Sequence, residues 1–220
     1  MDITCIADLH GFYPELEGGD LLIVAGDLTA RDDILQYKYF NRWIGNQIYK
    51  KKVVICGNHD MFLERCVRPA YKYLNKATYL CDSGTEFEGL KIWGSPWTLT
   101  FPGINPHCTA FTGTEEDLKA KFDLIPDDID ILVTHGPPYG ILDMVYDRSL
   151  EALKSVGSKS LSRRILGLSS PWISKKPKFH IFGHIHEGYD SCVHEGRNYI
   201  NCSHVNERYE PVNKPVRIIL

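Results

Sequence analysis

The sequence predicts an α/β fold with a parallel sheet, and two observations carry that prediction. Apolar runs of strand length occupy residues 20–24 and 52–56, and the stretch between about 32 and 49 has helical periodicity. Strand, helix and strand at this spacing form a βαβ unit with a right-handed crossover, which makes the two strands parallel. Both runs are continuously apolar, as strands buried on both faces are. With 220 residues, the chain is expected to form one domain that spans residues 1–220.

The first third of the chain supplies the elements of that unit. Residues 3–7 form a β-prone run that ends in polar residues. The predicted helix carries four apolar side chains on one stripe, namely Tyr37, Phe40, Ile44 and Ile48. Asp32 or Asp33 is suited to cap its start, because a carboxylate accepts hydrogen bonds from the free N–H groups of the first turn.

The rest of the chain predicts shorter elements. Thr114 and Asp117 have the spacing of an N-terminal helix cap. Residues 78–80 and 90–93 are expected to be strands around a glycine-containing turn, and 97–114 a long ordered loop of the kind that often has a function. Further predictions are short helices at 69–75, 115–122 and 160–166, strands at 129–133, 179–182 and 216–220, and a hairpin over 191–201 that turns at Glu195-Gly196.

The composition narrows the functional classes. The chain is 43% hydrophobic and 24% charged with a net charge of −3, so no basic field indicates a nucleic acid or an anionic membrane as the partner. No apolar run approaches the ~20 residues of a membrane span, and no signal-like segment precedes residue 3. The seven cysteines include no Cys-x-x-Cys pair, so we expect reduced thiols, no cysteine-based zinc site and a cytoplasmic protein.

The most informative pattern is shared by five strand ends. Each predicted apolar strand stops at a side chain that can bind a metal, beside a glycine or another small residue: Asp8, Asp27, Asn58, His135 and His184. In open α/β sheets, ligands gather at the carboxyl ends of the strands. Two of these residues begin doublets, Asp8-x-His10 and His184-x-His186, and side chains two apart in a strand point to the same side. Taken singly, each residue is at least as well explained by a cap, a turn or a hydrogen bond. Together they predict a metal site.

The set resembles a known family. The five segments, in the same order, are similar to the motifs of the calcineurin-like metallophosphoesterases: Asp8-Leu9-His10, Gly26-Asp27, Gly57-Asn58-His59-Asp60, Thr134-His135-Gly136 and Gly183-His184-Ile185-His186. The resemblance covers nearly the whole chain. It implies a four-layer α/β sandwich of two mixed β-sheets flanked by helices, with two metal ions over the strand ends.

Three further segments look like one branch of that superfamily, the brain-expressed metallophosphoesterase-domain phosphodiesterases. They are the stretches 93–97, 136–143 and 186–189. One segment differs from the corresponding motif of another branch. The Ser/Thr protein phosphatases extend the second motif with Asp-Arg-Gly, whereas Leu28-Thr29-Ala30-Arg31 follows Asp27 here. The resemblance therefore favours a phosphodiesterase over a protein phosphatase.

Carried over residue by residue, the resemblance implies two metal sites. One would be held by Asp8, His10 and His186, the other by Asn58, His135 and His184, with Asp27 as the bridge. Nitrogen and oxygen ligands without thiolate favour Mn, with Fe, Zn, Co or Ni as further candidates. Two divalent ions lower the pKa of a shared water so that hydroxide can attack phosphorus.

Two adjacent residues are expected to be catalytic. His59 directly follows the ligand Asn58, so its ring stays near the metals and can protonate the leaving oxygen. Asp60 is expected to accept a hydrogen bond from the other ring nitrogen and to fix the tautomer. The remaining His107, His180, His194 and His204 match no motif and are interpreted as structural or solvated, with His107 near enough to line the pocket.

The predicted function is hydrolysis of a small phosphodiester, cyclic nucleotides included, by metal-activated hydroxide. Arg31 is the only arginine in the motif loops, and apolar side chains are available to house a second ester group: Trp97, Phe101, Pro137, Pro138 and Tyr139. The alternatives are a phosphomonoesterase or nucleotidase of the same fold, and a non-catalytic metal-binding scaffold. A nuclease is disfavoured by the acidic balance. The residues identify no protein partner.

Overall fold

Two mixed β-sheets form the centre of the molecule in a computed structural model that describes residues 1–65, 72–101, 106–168 and 176–220. The first sheet has the order β15-β1-β2-β3-β4, and β15 alone runs antiparallel to its neighbour. Its strands are β1 Asp2–Ile6, β2 Gly19–Ala25, β3 Tyr49–Ile55, β4 Thr78–Tyr79 and β15 Val216–Ile219. Helix α1, Ile34–Asn46, connects the parallel strands β2 and β3, which confirms the predicted βαβ unit.

The second sheet has the order β13-β14-β12-β9-β6-β5, with a parallel centre and an antiparallel strand at each edge. Its strands are β5 Ser83–Phe87, β6 Leu90–Ser95, β9 Ile131–Thr134, β12 Phe179–Phe182, β13 Asp190–His194 and β14 Arg197–Asn201. The β13–β14 hairpin turns at Glu195 and Gly196 as predicted, and both have positive φ (49° and 75°), as a type I′ turn requires.

Two small pairs of strands lie outside these sheets. The parallel pair is β7 Thr98–Leu99 and β8 Thr112–Gly113, within the segment expected to be a long loop. The antiparallel hairpin is β10 Met144–Asp147 and β11 Ala152–Ser155, which the sequence did not indicate.

Helices cover the outer faces. Those whose bounds lie within the described residues are α1 Ile34–Asn46, α2 Met61–Arg65, α3 Glu115–Phe122 and α4 Lys159–Gly167, with a 3₁₀ turn at His186–Gly188. Asp33 caps α1 by accepting from the Gln36 amide at 2.9 Å, and Thr114 and Asp117 form the expected capping box on α3. No helix within the described ranges is both long and apolar enough to cross a membrane.

Three apolar clusters establish the four-layer arrangement. Alternate residues of both sheets meet in the middle, including Ile23 and Ile55 against Val133 and Ile181. The other face of the first sheet packs on α1, and the other face of the second packs on α3 and α4. Because each central strand is covered on both sides, its sequence is continuously apolar. The predicted fold class is confirmed.

Two local predictions need correction. The residues 78–80 do not pair with 90–93: β4 joins the first sheet beside β3, and β6 forms its hairpin with β5 through Glu88 and Gly89. Helix α1 ends at Asn46, so Ile48 lies beyond the stripe and is 83% exposed. Residues 69–71 of the helix predicted at 69–75 lie outside the described residues, and residues 72 and 73 are helical. The six described cysteines are free, as expected.

Candidate metal centre

The carboxyl ends of both sheets converge on one site. The first sheet contributes the residues that follow β1, β2 and β3, and the second contributes those that follow β9 and β12; these are Asp8, Asp27, Asn58, His135 and His184. The sheets meet beside Asp8 through a parallel bridge between Ala7 and Ser203. The edge predicted from the sequence is therefore formed by two sheets.

The backbone at this edge is unusual. Four of the seven residues proposed as ligands have positive φ: Asp8 (52°), His10 (40°), Asp27 (53°) and His184 (70°). Residues other than glycine seldom adopt positive φ, and each instance costs on the order of 1–3 kcal/mol. Such strain gathers at functional sites, because the surrounding structure must hold the side chains in place.

Two glycines permit the side chains to approach one another. A Cβ atom on Gly57 would collide with the Asp27 carboxylate and the His135 ring. A Cβ atom on Gly183 would collide with the carboxylate of Asp8. The glycines in these motifs thus leave space for the neighbouring polar groups.

The first group of side chains is Asp8, His10 and His186, whose ligand atoms lie within 4.8 Å of one another. Asp8 Oδ2 accepts from the His184 amide at 2.9 Å and from Ser203 Oγ at 2.6 Å, while Oδ1 lies 3.6 Å from His186 Nε2. His186 Nδ1 lies 3.0 Å from the carbonyl of Asn206. Since a carbonyl only accepts, Nδ1 carries the proton there. Nε2 faces the Asp8 carboxylate, and although burial opposes it, that carboxylate raises the pKa of His186.

The second group is arranged around Asp27. Its Oδ1 lies 3.3 Å from His135 Nε2, and its Oδ2 lies 3.6 Å from His10 Nε2. Asn58 Oδ1 also approaches His135 Nε2 at 3.0 Å, and His135 Nδ1 faces the carbonyl of Ala25 at 3.0 Å. His135 is thus surrounded by acceptor oxygens on both ring nitrogens. A second proton or a cation next to Nε2 satisfies that arrangement.

The charges of the site explain the direction of each pKa shift. Burial alone would raise the pKa of the Asp8 and Asp27 carboxyls. The neighbouring histidines outweigh burial and hold both pKa values below the usual range. Burial likewise opposes the charge of His135, yet Asp27 and Asp8 raise its pKa to about 9. Burial lowers the pKa of His10 to about 4 and that of His184 to about 3, so both rings are neutral at pH 7.

Three buried atoms show that a cation fits here. Asp8 Oδ1, His10 Nε2 and His184 Nε2 have no hydrogen-bond partner among the described residues. Buried polar atoms are seldom left without partners, because desolvation is then uncompensated. Imidazole lone pairs and carboxylate oxygens suit a divalent ion such as Mn²⁺ or Zn²⁺. The donor set therefore fits a divalent metal ion.

His59 lies at the edge of the two groups. Its Nε2 is 3.9 Å from Asp27 Oδ2, and its Nδ1 is 3.4 Å from the Sγ atom of Cys108. The Cys108 segment is held against the same loop by two more contacts: its carbonyl accepts from Asn58 Nδ2 at 3.2 Å, and the Ala110 amide donates to the Asn58 carbonyl at 3.2 Å. The thiol, rather than a carboxylate, contacts the second nitrogen of His59.

Asp60 does not make the contact with the His59 ring that the sequence suggested. Its carboxyl is fully buried and accepts from the amides of Gly57 (2.8 Å) and Leu28 (3.2 Å) and from the Tyr37 hydroxyl (3.2 Å). Burial and the nearby charge of Asp27 raise its pKa to about 8. Asp60 therefore connects the loop after β2 to the loop after β3. Its contacts lie next to Asp27 and Asn58 and help to fix the backbone of these two proposed ligands.

A pocket of about 450 Å³ opens over the site. Asp27, Asn58, His59, His184 and His186 form its floor, and its walls include Phe101, Val145, Tyr146, Val156 and Tyr209. The β10–β11 hairpin supplies much of one wall, and buried Asp143 anchors it by accepting from the amides of Gly140 (2.9 Å) and Gly157 (2.8 Å). Of the apolar residues expected to line the pocket, Phe101 alone does so among those described.

The other expected wall residues have different roles. Trp97 donates from Nε1 to Asp82 and packs under Lys121 Nζ, and the Tyr139 ring lies beneath Lys159.

His107 is exposed and does not line the pocket. His180 and His204 are buried with partners, namely Thr134 Oγ1 at 2.8 Å and the Asn213 carbonyl at 2.8 Å.

Comparison with known proteins identifies the family of this site. The calcineurin-like phosphoesterase profile matches residues 1–188. Metallophosphoesterase domain-containing protein 1 of Homo sapiens and that of Mus musculus are each 33% identical over 242 residues, covering 99% of this chain and 70% of the relative. A UPF0046 protein of Caenorhabditis elegans is 32% identical over 235 residues, covering 95% of this chain and 78% of that protein.

The chain belongs to the calcineurin-like phosphoesterase family. Solved structures show the same fold at low identity. The protein TT1561 of Thermus thermophilus superposes with a TM-score of 0.58 at 16% identity, covering 91% of this chain and 88% of that one. A second solved structure gives a TM-score of 0.67 at 17% identity, covering 91% and 89%. The family and the Asp/His groups together make this chain a metal-dependent phosphoesterase.

Several residues of this phosphoesterase site were not found from the sequence. Ser203 follows β14 at a strand end, so the same pattern that identified Asp8 would have found it. Cys108, Asn206 and Tyr209 lie in loops without periodicity, and no feature of their local sequence marks them. Only the tertiary contacts bring them to the site.

Proposed function

We propose that this phosphoesterase hydrolyses phosphodiesters with two divalent ions, of which Mn is favoured. In this assignment Asp8, His10 and His186 hold one ion, and Asn58, His135 and His184 hold the other. Asp27 lies between the two groups, within 3.6 Å of His10 on one side and 3.3 Å of His135 on the other, which supports its role as the bridge. The bound ions supply positive charge that activates water and polarises the phosphoryl oxygens.

The observation that carries the diester assignment is the charge of the pocket. Among its described lining residues there is no lysine or arginine, whereas Glu187 and Glu207 are present. A monoester dianion is usually bound by Arg or Lys beside the metals. A diester carries one negative charge and a second organic group, and the apolar walls formed by Phe101, Val145 and Tyr146 suit that group.

His59 is proposed as the proton donor to the leaving oxygen. Its side chain is 16% exposed and lines the pocket, whereas the proposed ligands His10 and His135 are buried almost completely. Cys108 holds Nδ1, which leaves Nε2 directed toward Asp27 and the floor of the pocket. A ring in this position can move a proton at Nε2 without leaving its place.

The test is a comparison of two substrates with one metal. With Mn, kcat/KM for bis(4-nitrophenyl) phosphate should exceed kcat/KM for 4-nitrophenyl phosphate. Tyr146→Arg should shift this ratio toward the monoester, because it adds a positive charge to the wall. Tyr39→Ala, an exposed tyrosine on α1, serves as the control. A clear wild-type preference for the monoester would favour a phosphomonoesterase instead.

Metal dependence is tested separately. Chelation should abolish hydrolysis, Mn should restore it, and elemental analysis of the active protein should find two ions per chain. One ion per chain would contradict the binuclear assignment. Two bound ions with no turnover of either ester would favour a metal-binding scaffold.

A further inference from the structure

Tyr209 contacts three of the site's histidine rings. Its ring centroid lies 4.8 Å from that of His10, 5.2 Å from that of His186 and 6.2 Å from that of His59, in edge-to-face arrangements. Two of these rings belong to the proposed metal ligands and the third to the proposed proton donor. Tyr209 therefore lies where the ligands and the donor meet.

The loop that carries Tyr209 holds its backbone in a strained conformation. Tyr209 has a φ of 61°, a value that residues other than glycine seldom adopt. Its amide donates to the Asn206 carbonyl at 2.9 Å, and the same carbonyl contacts His186 Nδ1 at 3.0 Å. Asn206 Oδ1 also accepts from the amides of Arg208 and Glu210, each at 2.9 Å. One residue thus fixes both the ring of His186 and the position of Tyr209.

The ring does not simply fill the interior. Tyr209 is 40% exposed, and it lines the pocket together with His59 and His186. Tyr146, 60% exposed, lines the same pocket from the β10–β11 hairpin. An aromatic surface at this place meets whatever organic group the substrate carries beside the phosphoryl centre.

We propose that Tyr209 is a substrate-contacting residue that selects esters with a planar or apolar organic group. The inference rests on the proposed function in one respect, that the pocket over the metal centre holds the phosphate ester. The ring packs on the organic group while its edges contact the histidines beneath. Aromatic stacking of this kind strengthens binding and tolerates many ring structures.

The test uses two phosphonates that share a charged head group and are not hydrolysed. Phenylphosphonate carries a ring, and methylphosphonate carries one carbon. In calorimetry with the Mn-loaded protein, Tyr209→Ala should weaken phenylphosphonate about tenfold or more. The Kd of methylphosphonate should stay within about twofold, and Tyr209→Phe should bind both probes within about twofold of the wild type. Alanine adopts φ of 61° no more readily than tyrosine, so Tyr209→Ala removes the ring without relieving the backbone.

Other outcomes overturn the inference. Equal weakening of both probes, loss of metal from Tyr209→Ala by elemental analysis, or no change in either Kd would show that the ring only supports the ligands or is neutral. A wild-type protein that binds the two phosphonates equally would also exclude the contact. Tyr39→Ala controls for the loss of an exposed tyrosine elsewhere. Failure of the wild type to hydrolyse any diester would overturn the proposed function alone, because the binding ratio is measured without turnover.

Discussion

The two sheets contribute different chemistry to the same site. The first sheet supplies oxygen donors at the ends of three adjacent parallel strands, namely Asp8, Asp27 and Asn58, with His10 just beyond β1. The second sheet supplies imidazoles only, from His135 after β9 and from His184 and His186 after β12. The carboxylates of the site therefore come from the first sheet, and the second sheet adds imidazoles.

This difference shows how the site couples the sheets. Asp27 on one sheet raises the pKa of His135 on the other, and Asp8 does the same more weakly. The spacing between the two sets is fixed by the apolar layer, where Ile23 and Ile55 pack against Val133 and Ile181. A cation held between oxygen and nitrogen donors would link the layers where that core ends.

The largest expected effect comes from removing Asp27, the proposed bridge between the two ions. Asp27→Ala should lose bound metal and phosphoesterase activity together, because one carboxylate faces both groups of histidines. The expected loss of metal affinity exceeds about 100-fold, the upper range for residues that only support a ligand. Elemental analysis and turnover of a chromogenic ester measure the two quantities. Retention of both ions by Asp27→Ala would contradict the bridging assignment.

The next effect separates proton transfer from metal binding. His59→Ala should keep both ions and lower kcat by about 10²–10⁴-fold, the range of general acid–base catalysis. His184→Ala is the matched comparison, since it removes a buried imidazole from the second sheet and should lower metal content as well. If His59→Ala loses metal to the same extent as His184→Ala, His59 is a ligand and the division of roles is wrong.

Much of the fold was predictable because its signals are local. The apolar runs of β2 and β3, the Tyr37–Phe40–Ile44 stripe and the Thr114 cap each follow from a few neighbouring residues. The strand-end pattern is local too, and the Asp and His side chains that it marks do lie close together. The sequence could not show that β4 and β5 belong to different sheets, since both are short and their burial is set by distant strands.

The contacts around the proposed ligands were less predictable than the position of these side chains at the strand ends. The doublet His59-Asp60 suggested that the two side chains act together, yet Asp60 turns inward to Leu28 and Gly57. The partner of His59 is Cys108, 49 residues away along the chain. Contacts between distant loops have no periodic signature, and the sequence therefore indicates the wrong neighbour.

Substitution of Asp60 should have a smaller effect, a loss of stability in the loops of the first sheet. Asp60→Ala would leave the buried amides of Leu28 and Gly57 without their acceptor, which costs on the order of 1–3 kcal/mol of unfolding free energy. Asp60→Asn keeps an acceptor oxygen of the same size, and burial and Asp27 already raise the Asp60 pKa to about 8, so it should be milder. Urea unfolding of the metal-free proteins measures both. Equal stability of the wild type and Asp60→Ala would contradict the positioning role.

His180 is the buried titratable side chain of the second sheet, as Asp60 is of the first. Its substitution should have the smallest effect, which is on the pH dependence of stability. His180 lies on β12, is fully buried and meets Thr134 Oγ1 at 2.8 Å. Burial lowers its pKa from the ordinary 6.5 to about 3. Between these values the unfolded chain binds a proton that the folded chain does not, so stability should fall as the pH falls from about 6.5 toward 3.

The slope of that loss distinguishes His180 from the other titrating groups. His180→Gln removes the titration and should flatten the dependence of unfolding free energy on pH by up to about 1.4 kcal/mol per pH unit. The histidines of the metal centre titrate in both proteins, so the difference between wild type and His180→Gln isolates this side chain. His194→Gln, at an exposed position on β13, is the control for the loss of a histidine elsewhere in the second sheet. Parallel curves for wild type and His180→Gln between about pH 6.5 and 4 would mean that His180 accepts its proton in the folded state, and that burial in the second sheet does not keep the ring neutral.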